Sequence, residues 1–337
     1  MSANSQPALF TKLGFDPAYL PAFEEKLFIE GPRTARRLTD FFALLLFATV
    51  IATYGILSNS TATVIGAMLI APLMGPMMAT TAAVVMGSAP RALRALALAA
   101  AGIVSVILFS YLLSWVVPDV TISFTSNAEI TSRIHPGLYA LLTALGAGAA
   151  GAFITSRSEL AEALGGVAIA IALVPPLCVV GIALQQGQMD AAGGASLLFL
   201  TNFLAILLAG GVVLLVLGLG QAVVSKEQGR FRRRAFLVIL VGLLLVCIPL
   251  SVTAYQNVMS ARGNAQATAE VHRWLAGTSY RVDTVNASGG VVEVSVEGIG
   301  PLQPAQQLAN QLAVTLGQPV IVELRVLPVQ RVKSSNP

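Results

Sequence analysis

The chain has 337 residues, of which 55% are hydrophobic and 11% are charged, and its formal net charge is +4. A soluble domain carries roughly 25% charged residues, so this composition excludes an ordinary soluble enzyme, and its hydrophobicity excludes a disordered chain. We therefore expect most of the chain to lie in lipid.

Residues 1–38 are mostly polar and precede the first apolar block. Phe23, Leu27 and Phe28 lie beside charged residues there, a pattern typical of a short amphipathic helix on the cytoplasmic leaflet. A plain topology anchor explains the pattern equally well. The segment lacks the apolar core of a cleavable signal peptide, so none is expected.

Long stretches without Asp, Glu, Lys or Arg follow, beginning with residues 41–90. A helix that crosses about 30 Å of hydrocarbon needs about 20 apolar residues, so this stretch holds two crossings, divided by a polar turn at residues 58–60. Continuous apolar runs favour helices over a barrel and thus an inner or plasma membrane. Seven transmembrane helices are predicted, near 39–57, 61–87, 91–117, 137–155, 158–184, 194–219 and 235–257.

The basic residues of the connections predict the orientation, because Lys and Arg resist translocation. The amino-terminal segment and every second connection carry 13 basic residues, whereas the three opposite loops hold Arg133 alone. The amino terminus is therefore predicted to be cytoplasmic and the carboxyl terminus extracytoplasmic.

Two proline pairs indicate an internal repeat within the transmembrane domain, residues 39–258. Pro72 and Pro76 lie in the second predicted helix, and Pro175 and Pro176 lie in the fifth. The three-helix groups 39–117 and 137–219 align with an offset near 100 residues, and an odd number of crossings gives them opposite orientations. This is an inverted 3+3 repeat, which many secondary transporters contain.

Each proline pair should break its helix near the bilayer midplane and leave backbone groups for a ligand. Such groups survive in lipid only when they are buried in protein or line a wet cavity, and a helix amino terminus attracts anions or carbonyl oxygens. Simple kinks in a packed bundle are the alternative. The predicted substrate-binding residues are Thr63, Pro72, Gly75, Pro76, Met77, Thr80, Thr81, Pro175, Pro176, Thr201 and Asn202.

The stretch NSTATVIGAMLIAPLMGP, residues 59–76, resembles the hallmark segment of the bacterial and archaeal membrane proteins grouped as domain of unknown function 389. With the Pro175 and Pro176 helix, the resemblance covers roughly residues 23–219. It implies a polytopic helical membrane domain and no settled function. Members of that family often carry a soluble module before the membrane domain, whereas here the module follows it.

The carboxy-terminal module, residues 259–337, has the pattern of an α/β fold. A helix over 264–276 is predicted to precede two strands, 282–286 and 291–297, in which Val292, Val294 and Val296 alternate with polar residues. A helix closed by Gly317 and a third strand over 320–326 complete an αββαβ order that resembles a split ferredoxin-like unit. Because so small a core is marginal alone, the module is expected to pack on copies of itself or on the membrane domain.

Catalytic motifs are absent from the sequence. His135 and His272 are the two histidines, and Cys178 and Cys247 lie in apolar runs, so neither a metal site nor a disulfide framework is predicted. No enzyme activity, cofactor or nucleic-acid partner is expected.

The sequence therefore predicts an all-α membrane transporter or channel-like protein with a small α/β module. It would move a small solute or ion, with an anion or a polar neutral solute preferred, through a midplane site between the broken second and fifth helices. It would also contact membrane lipids and form a homo-oligomer. The alternative is a membrane-anchored scaffold or sensor whose exported module binds a ligand or partner. A lipid-handling protein with a lateral groove is a third hypothesis.

Overall fold

A computed structural model describes residues 14–116, 124–134, 136–163, 173–221, 226–288, 290–317 and 319–327. The chain divides into two compact units, Met1–Ser251 and Val252–Pro337. The predicted fifth helix, 158–184, is only partly covered, because residues 164–172 lie outside the described residues, as does His135.

The first unit is entirely helical in its described part. Its helices are α1 (Leu20–Leu27), α2 (Thr34–Leu57), α3 (Thr61–Ile70), α4 (Met74–Val85), α5 (Ala89–Trp115), α6 (Ala128–Ile134), α7 (Leu138–Thr155), α8 (Ser158–Ala163), α9 (Val174–Gln185), α10 (Met189–Val216) and the first part of α11 (Lys226–Trp274).

Among the residues that the structure describes, four helices are each long and apolar enough to cross a membrane: α2, α5, α7 and α10. The bent pair α3 and α4 makes a fifth candidate. α9 is apolar but has only 12 residues, about 18 Å, which is too short to cross alone. The predicted seventh crossing, 235–257, lies inside the 49-residue helix α11. The apolar helices indicate a membrane protein, and the number of seven crossings stays a prediction.

Local sequence determines where these helices begin and end. The turn at residues 58–60 is present, with Asn59 at a φ of 53° and the Ser60 hydroxyl accepting a hydrogen bond from the Thr63 amide. The side-chain oxygen satisfies one amide of the first turn of α3. Gly87 and Gly187, at φ of 75° and 70°, end α4 and α9 in the left-handed conformation that glycine adopts without strain.

The second unit contains β1 (Arg281–Ser288), β2 (Val291–Glu297), α12 (Ala305–Leu316) and β3 (Ile321–Leu327). β1 pairs antiparallel with β2, and β2 pairs parallel with β3 across the α12 crossover. The predicted three-strand sheet is confirmed, and Val292, Val294 and Val296 are buried against Leu308 and Leu312. The helix predicted over 264–276 is not separate; it is the end of α11, which continues from Lys226.

Candidate functional site

The first candidate site lies at the break between α3 and α4. Residues 71–73 separate these helices, which are bent by 50°. Ala71 has extended backbone angles because the proline ring of Pro72 disfavours a helical conformation in the preceding residue. Pro76 lies in the first turn of α4, where its missing amide costs no helical hydrogen bond. The helix restarts at Met74.

A cavity of about 330 Å³ borders this break. Pro72, Gly75 and Pro76 form one wall, and apolar residues of α2 and α5 form others. Its charged lining residues are Lys26, Glu30, Arg37, Asp40, Arg91 and Arg94. The cavity thus joins the helix break to these charged side chains; Arg94 is 74% exposed, Gly75 at the break is also exposed, and Pro76 is buried.

The amino-terminal segment forms part of this cavity. Arg91 pairs with Glu24 at 3.1 Å and with Glu30 at 3.3 Å, and its guanidinium lies 4.8 Å from the centre of the Phe28 ring. Phe23 and Phe28 are buried in the core of the bundle. The amino-terminal segment thus contributes two aromatic side chains to that core.

Arg37 on α2 holds the end of α1. Its guanidinium donates hydrogen bonds to the carbonyl oxygens of Glu25, Lys26 and Phe28 at 2.8, 2.8 and 2.9 Å. The last carbonyls of a helix lack intrahelical partners, and a cation there also opposes the negative end of the helix dipole. The segment is thus fixed by charge-assisted bonds at one of its ends.

The hydroxyl groups of three predicted threonine ligands already donate hydrogen bonds within their own helices. Thr80 donates to the carbonyl of Pro76 at 2.8 Å, and Thr81 donates to that of Met77 at 2.9 Å. Thr201 donates to Leu197 at 2.7 Å in the same way. A hydroxyl has a single proton, so these threonines retain only acceptor capacity for a ligand.

The other predicted ligands are dispersed. Thr63 lies in the cap of α3, Asn202 is buried on α10, and Met77 is buried on α4. Pro175 and Pro176 are buried in the first turn of α9. Of the predicted set, Pro72, Gly75 and Pro76 share the cavity.

α9 corresponds to α4 at an offset of 100 residues. α4 covers Met74–Val85 and α9 covers Val174–Gln185, and each has a leucine at its N-cap and a glycine after its end. The helices that follow begin at Ala89 and Met189, again 100 residues apart.

The packing of these two helices is reciprocal. α4 packs against α5 and α10, while α9 packs against α10, α5 and α2. Both described helices contribute to one hydrophobic core, but no extensive direct contact joins them to each other. The break at Pro72 and the start of α9 are therefore related through α5 and α10 and not by a shared interface.

A buried ion pair at the other end of α3 was not predicted. Glu129 on α6 accepts a hydrogen bond from the Thr61 hydroxyl and pairs with Arg133 at 2.9 Å, and both charged side chains are largely buried. Asn59 also accepts a hydrogen bond from the Glu129 amide, so α6 is tied to the turn before α3. The sequence signal that could have indicated this pair is the spacing of four residues between Glu129 and Arg133, because residues four apart are neighbours on a helix surface.

Within the described residues, no cluster of three or more His, Cys, Asp or Glu side chains has the geometry to hold a metal ion.

Comparison with known proteins finds similarity to an uncharacterized relative and to a family of unknown function. An uncharacterized protein of the archaeon Methanocaldococcus jannaschii is 31% identical over 205 residues, which cover 61% of this chain and 62% of that protein. The match thus spans less than two thirds of the relative's length. No solved structure matches the chain. Residues 68–208, which include both proline pairs, match the model of the family described as Domain of unknown function (DUF389). The resemblance predicted from the sequence is thereby confirmed over residues 68–208.

Proposed function

We propose that the protein is an integral membrane transporter or channel-like protein in which a small solute passes the break between α3 and α4. The observation that carries this proposal is the cavity that joins Pro72, Gly75 and Pro76 to an exposed charged end. Irregular backbone at membrane depth is stable where it lines such a cavity.

The charge of the cavity favours an anion or a polar neutral solute. Four cationic side chains, Lys26, Arg37, Arg91 and Arg94, line the cavity together with two carboxylates, Glu30 and Asp40. The amino-terminal end of α4 adds the positive end of a helix dipole at the break.

The correspondence of α4 with α9 supports an inverted repeat, and hence the class of transporter built from such repeats. On this proposal the cavity opens toward the cytoplasm, because its basic residues lie on the side with the excess of Lys and Arg. A homo-oligomer and an exported carboxy-terminal module remain parts of the proposal.

A flux measurement tests the proposed transport. The purified full chain is reconstituted in liposomes with valinomycin, and entry of potassium chloride, nitrate or phosphate, or of glycerol, is followed by light scattering. We expect at least one solute to enter faster than in protein-free liposomes. Gly75→Phe should abolish this entry by filling the cavity, because Gly75 has open space around it and lines the cavity.

Gly66→Phe is the matched control, since Gly66 lies on α3, also has open space around it and does not line the cavity. It should retain flux. Failure of all four solutes to enter, or equal flux through the Gly75→Phe variant, would contradict transport through this cavity and favour a scaffold or sensor.

A further inference from the structure

A second cavity, separate from the break, lies between α5, α10 and α11. Its volume is about 820 Å³, within the usual range for ligand sites, and it is open at the side of the bundle. Its lining is almost entirely aliphatic and aromatic, with representative residues Leu93, Leu96, Phe203, Leu207, Val238 and Ile239. We refer to it as the lateral groove.

The lateral groove has two polar side chains in its lining, Thr80 and Arg234. The Thr80 hydroxyl already donates to the carbonyl of Pro76. Arg234 is exposed, and no carboxylate lies within ion-pair distance of it among the side chains that the structure describes. An exposed guanidinium therefore borders an otherwise apolar groove.

The cation lies near one end of the groove. Along α11 the lining begins at Phe231 and Arg234 and continues through apolar residues to Val246. The 12 residues from Arg234 to Val246 rise about 18 Å, which is comparable with the roughly 15 Å of hydrocarbon in one leaflet. The Arg234 guanidinium therefore lies where a lipid headgroup would lie, and the apolar lining extends over the depth that acyl chains occupy.

We propose that the lateral groove binds an anionic diacyl phospholipid, with its phosphate at Arg234 and its acyl chains against α5, α10 and α11. Guanidinium groups form paired, charge-assisted hydrogen bonds with phosphate oxygens. Arg230 and Arg233, in the neighbouring turns of α11, are also exposed and add positive potential that disfavours a headgroup without net charge.

Native mass spectrometry of the purified full chain tests the proposal with dioleoyl phosphatidylglycerol and dioleoyl phosphatidylcholine, which differ in headgroup and share acyl chains. Phosphatidylglycerol should bind more tightly. Arg234→Gln should weaken its binding about tenfold, the loss expected for one charge-assisted hydrogen bond. Arg233→Gln, a neighbouring exposed arginine that does not line the groove, should weaken it less than threefold.

The apolar part is tested by Val238→Trp, which fills the groove, against Val241→Trp, which is exposed on α11 outside it. Only the former should displace phosphatidylglycerol, and Leu96→Trp on the facing helix α5 should do the same if Val238→Trp does not fold. Equal binding of the two lipids, or equal losses from the two arginine variants, would overturn the proposal. The proposal would also be overturned if the unchanged chain formed a dimer that held no lipid and the Val238→Trp variant did not form it. A second copy of the chain would then occupy the groove.

Discussion

The Ser110 hydroxyl on α5 donates a hydrogen bond to the carbonyl oxygen of Cys178 on α9 at 2.8 Å. At positions 100 residues away, Gly210 on α10 lies close to Met78 on α4, since a methyl group added at Gly210 would lie 3.2 Å from Met78 Cε. Contacts 110–178 and 210–78 thus join positions that differ by 100 residues, with the two partners exchanged between the two halves of the chain. This reciprocity is the strongest support for the repeat on which the proposed function depends.

Gly181 tests the packing behind that reciprocity. A methyl group at 181 would lie 2.6 Å from the carbonyl oxygen of Ile107 and 2.8 Å from the amide nitrogen of Tyr111, and backbone atoms cannot move aside cheaply. Gly181→Ala should therefore lower the free energy of unfolding by about 1–3 kcal/mol. Gly146→Ala, on α7 with open space around it, is the control. Thermal unfolding in detergent measures both, and equal melting temperatures would contradict the close approach of α9 to α5.

The attachment of the amino-terminal segment should depend on Arg37 more than on Arg91. Arg37 makes three charge-assisted hydrogen bonds to carbonyl oxygens, and a bond of this kind stabilises the folded state by about 1.5–3 kcal/mol. The ion pairs of Arg91 are partly exposed, and such a pair contributes about 0–1 kcal/mol. Hydrogen exchange over residues 20–30 should accelerate strongly in Arg37→Gln and weakly in Arg91→Gln. Arg36→Gln, an exposed neighbour, should change nothing. The reverse order would show that the ion pairs hold the segment.

Glu129→Gln should destabilise the bundle because it leaves the largely buried Arg133 without its ionic partner. Removal of one partner of a buried pair costs about 3–5 kcal/mol, so a clear drop in the melting temperature is expected. The double variant Glu129→Gln/Arg133→Met should recover part of this loss, since no charge is then left buried. Asp190→Asn, an exposed carboxylate on α10, serves as the control. A Glu129→Gln variant as stable as Asp190→Asn would contradict the buried pair.

The predicted orientation has a direct test in reporter fusions to the full chain. Alkaline phosphatase, which is active only after export, should be active at Pro337 and inactive when inserted after Ser88, just before α5, whose first turns carry Arg91 and Arg94. A fluorescent protein that folds only in the cytoplasm should give the opposite pattern. Cytoplasmic fluorescence at Pro337 would contradict the predicted orientation, and cytoplasmic fluorescence at both Ser88 and Pro337 would contradict the odd number of crossings.

The sequence predicts the apolar helices and the carboxy-terminal sheet because periodic and uninterrupted patterns determine them. It also places the break at Pro72, since proline acts on its own neighbourhood. It does not predict that Thr80 and Thr81 donate to their own helix, nor that Phe23 and Phe28 are buried in the bundle. The burial of Phe23 and Phe28 depends on which helices are neighbours, and no local pattern contains that information. The threonine bonds are local, because a helical threonine commonly donates to the carbonyl four residues earlier, and that preference is the signal that could have indicated them.

The central claim is that water reaches the break at Pro72 from the basic side of the protein. Its most direct test is the reaction of Gly75→Cys with a charged, membrane-impermeant methanethiosulfonate reagent, in membranes and in a background where Cys178 and Cys247 are alanine. Gly66→Cys, on α3 outside the cavity, is the control. We predict rapid modification of Gly75→Cys from the cytoplasmic side and little modification of Gly66→Cys. An unreactive Gly75→Cys, or equal rates at the two positions, would contradict a wet cavity at the break.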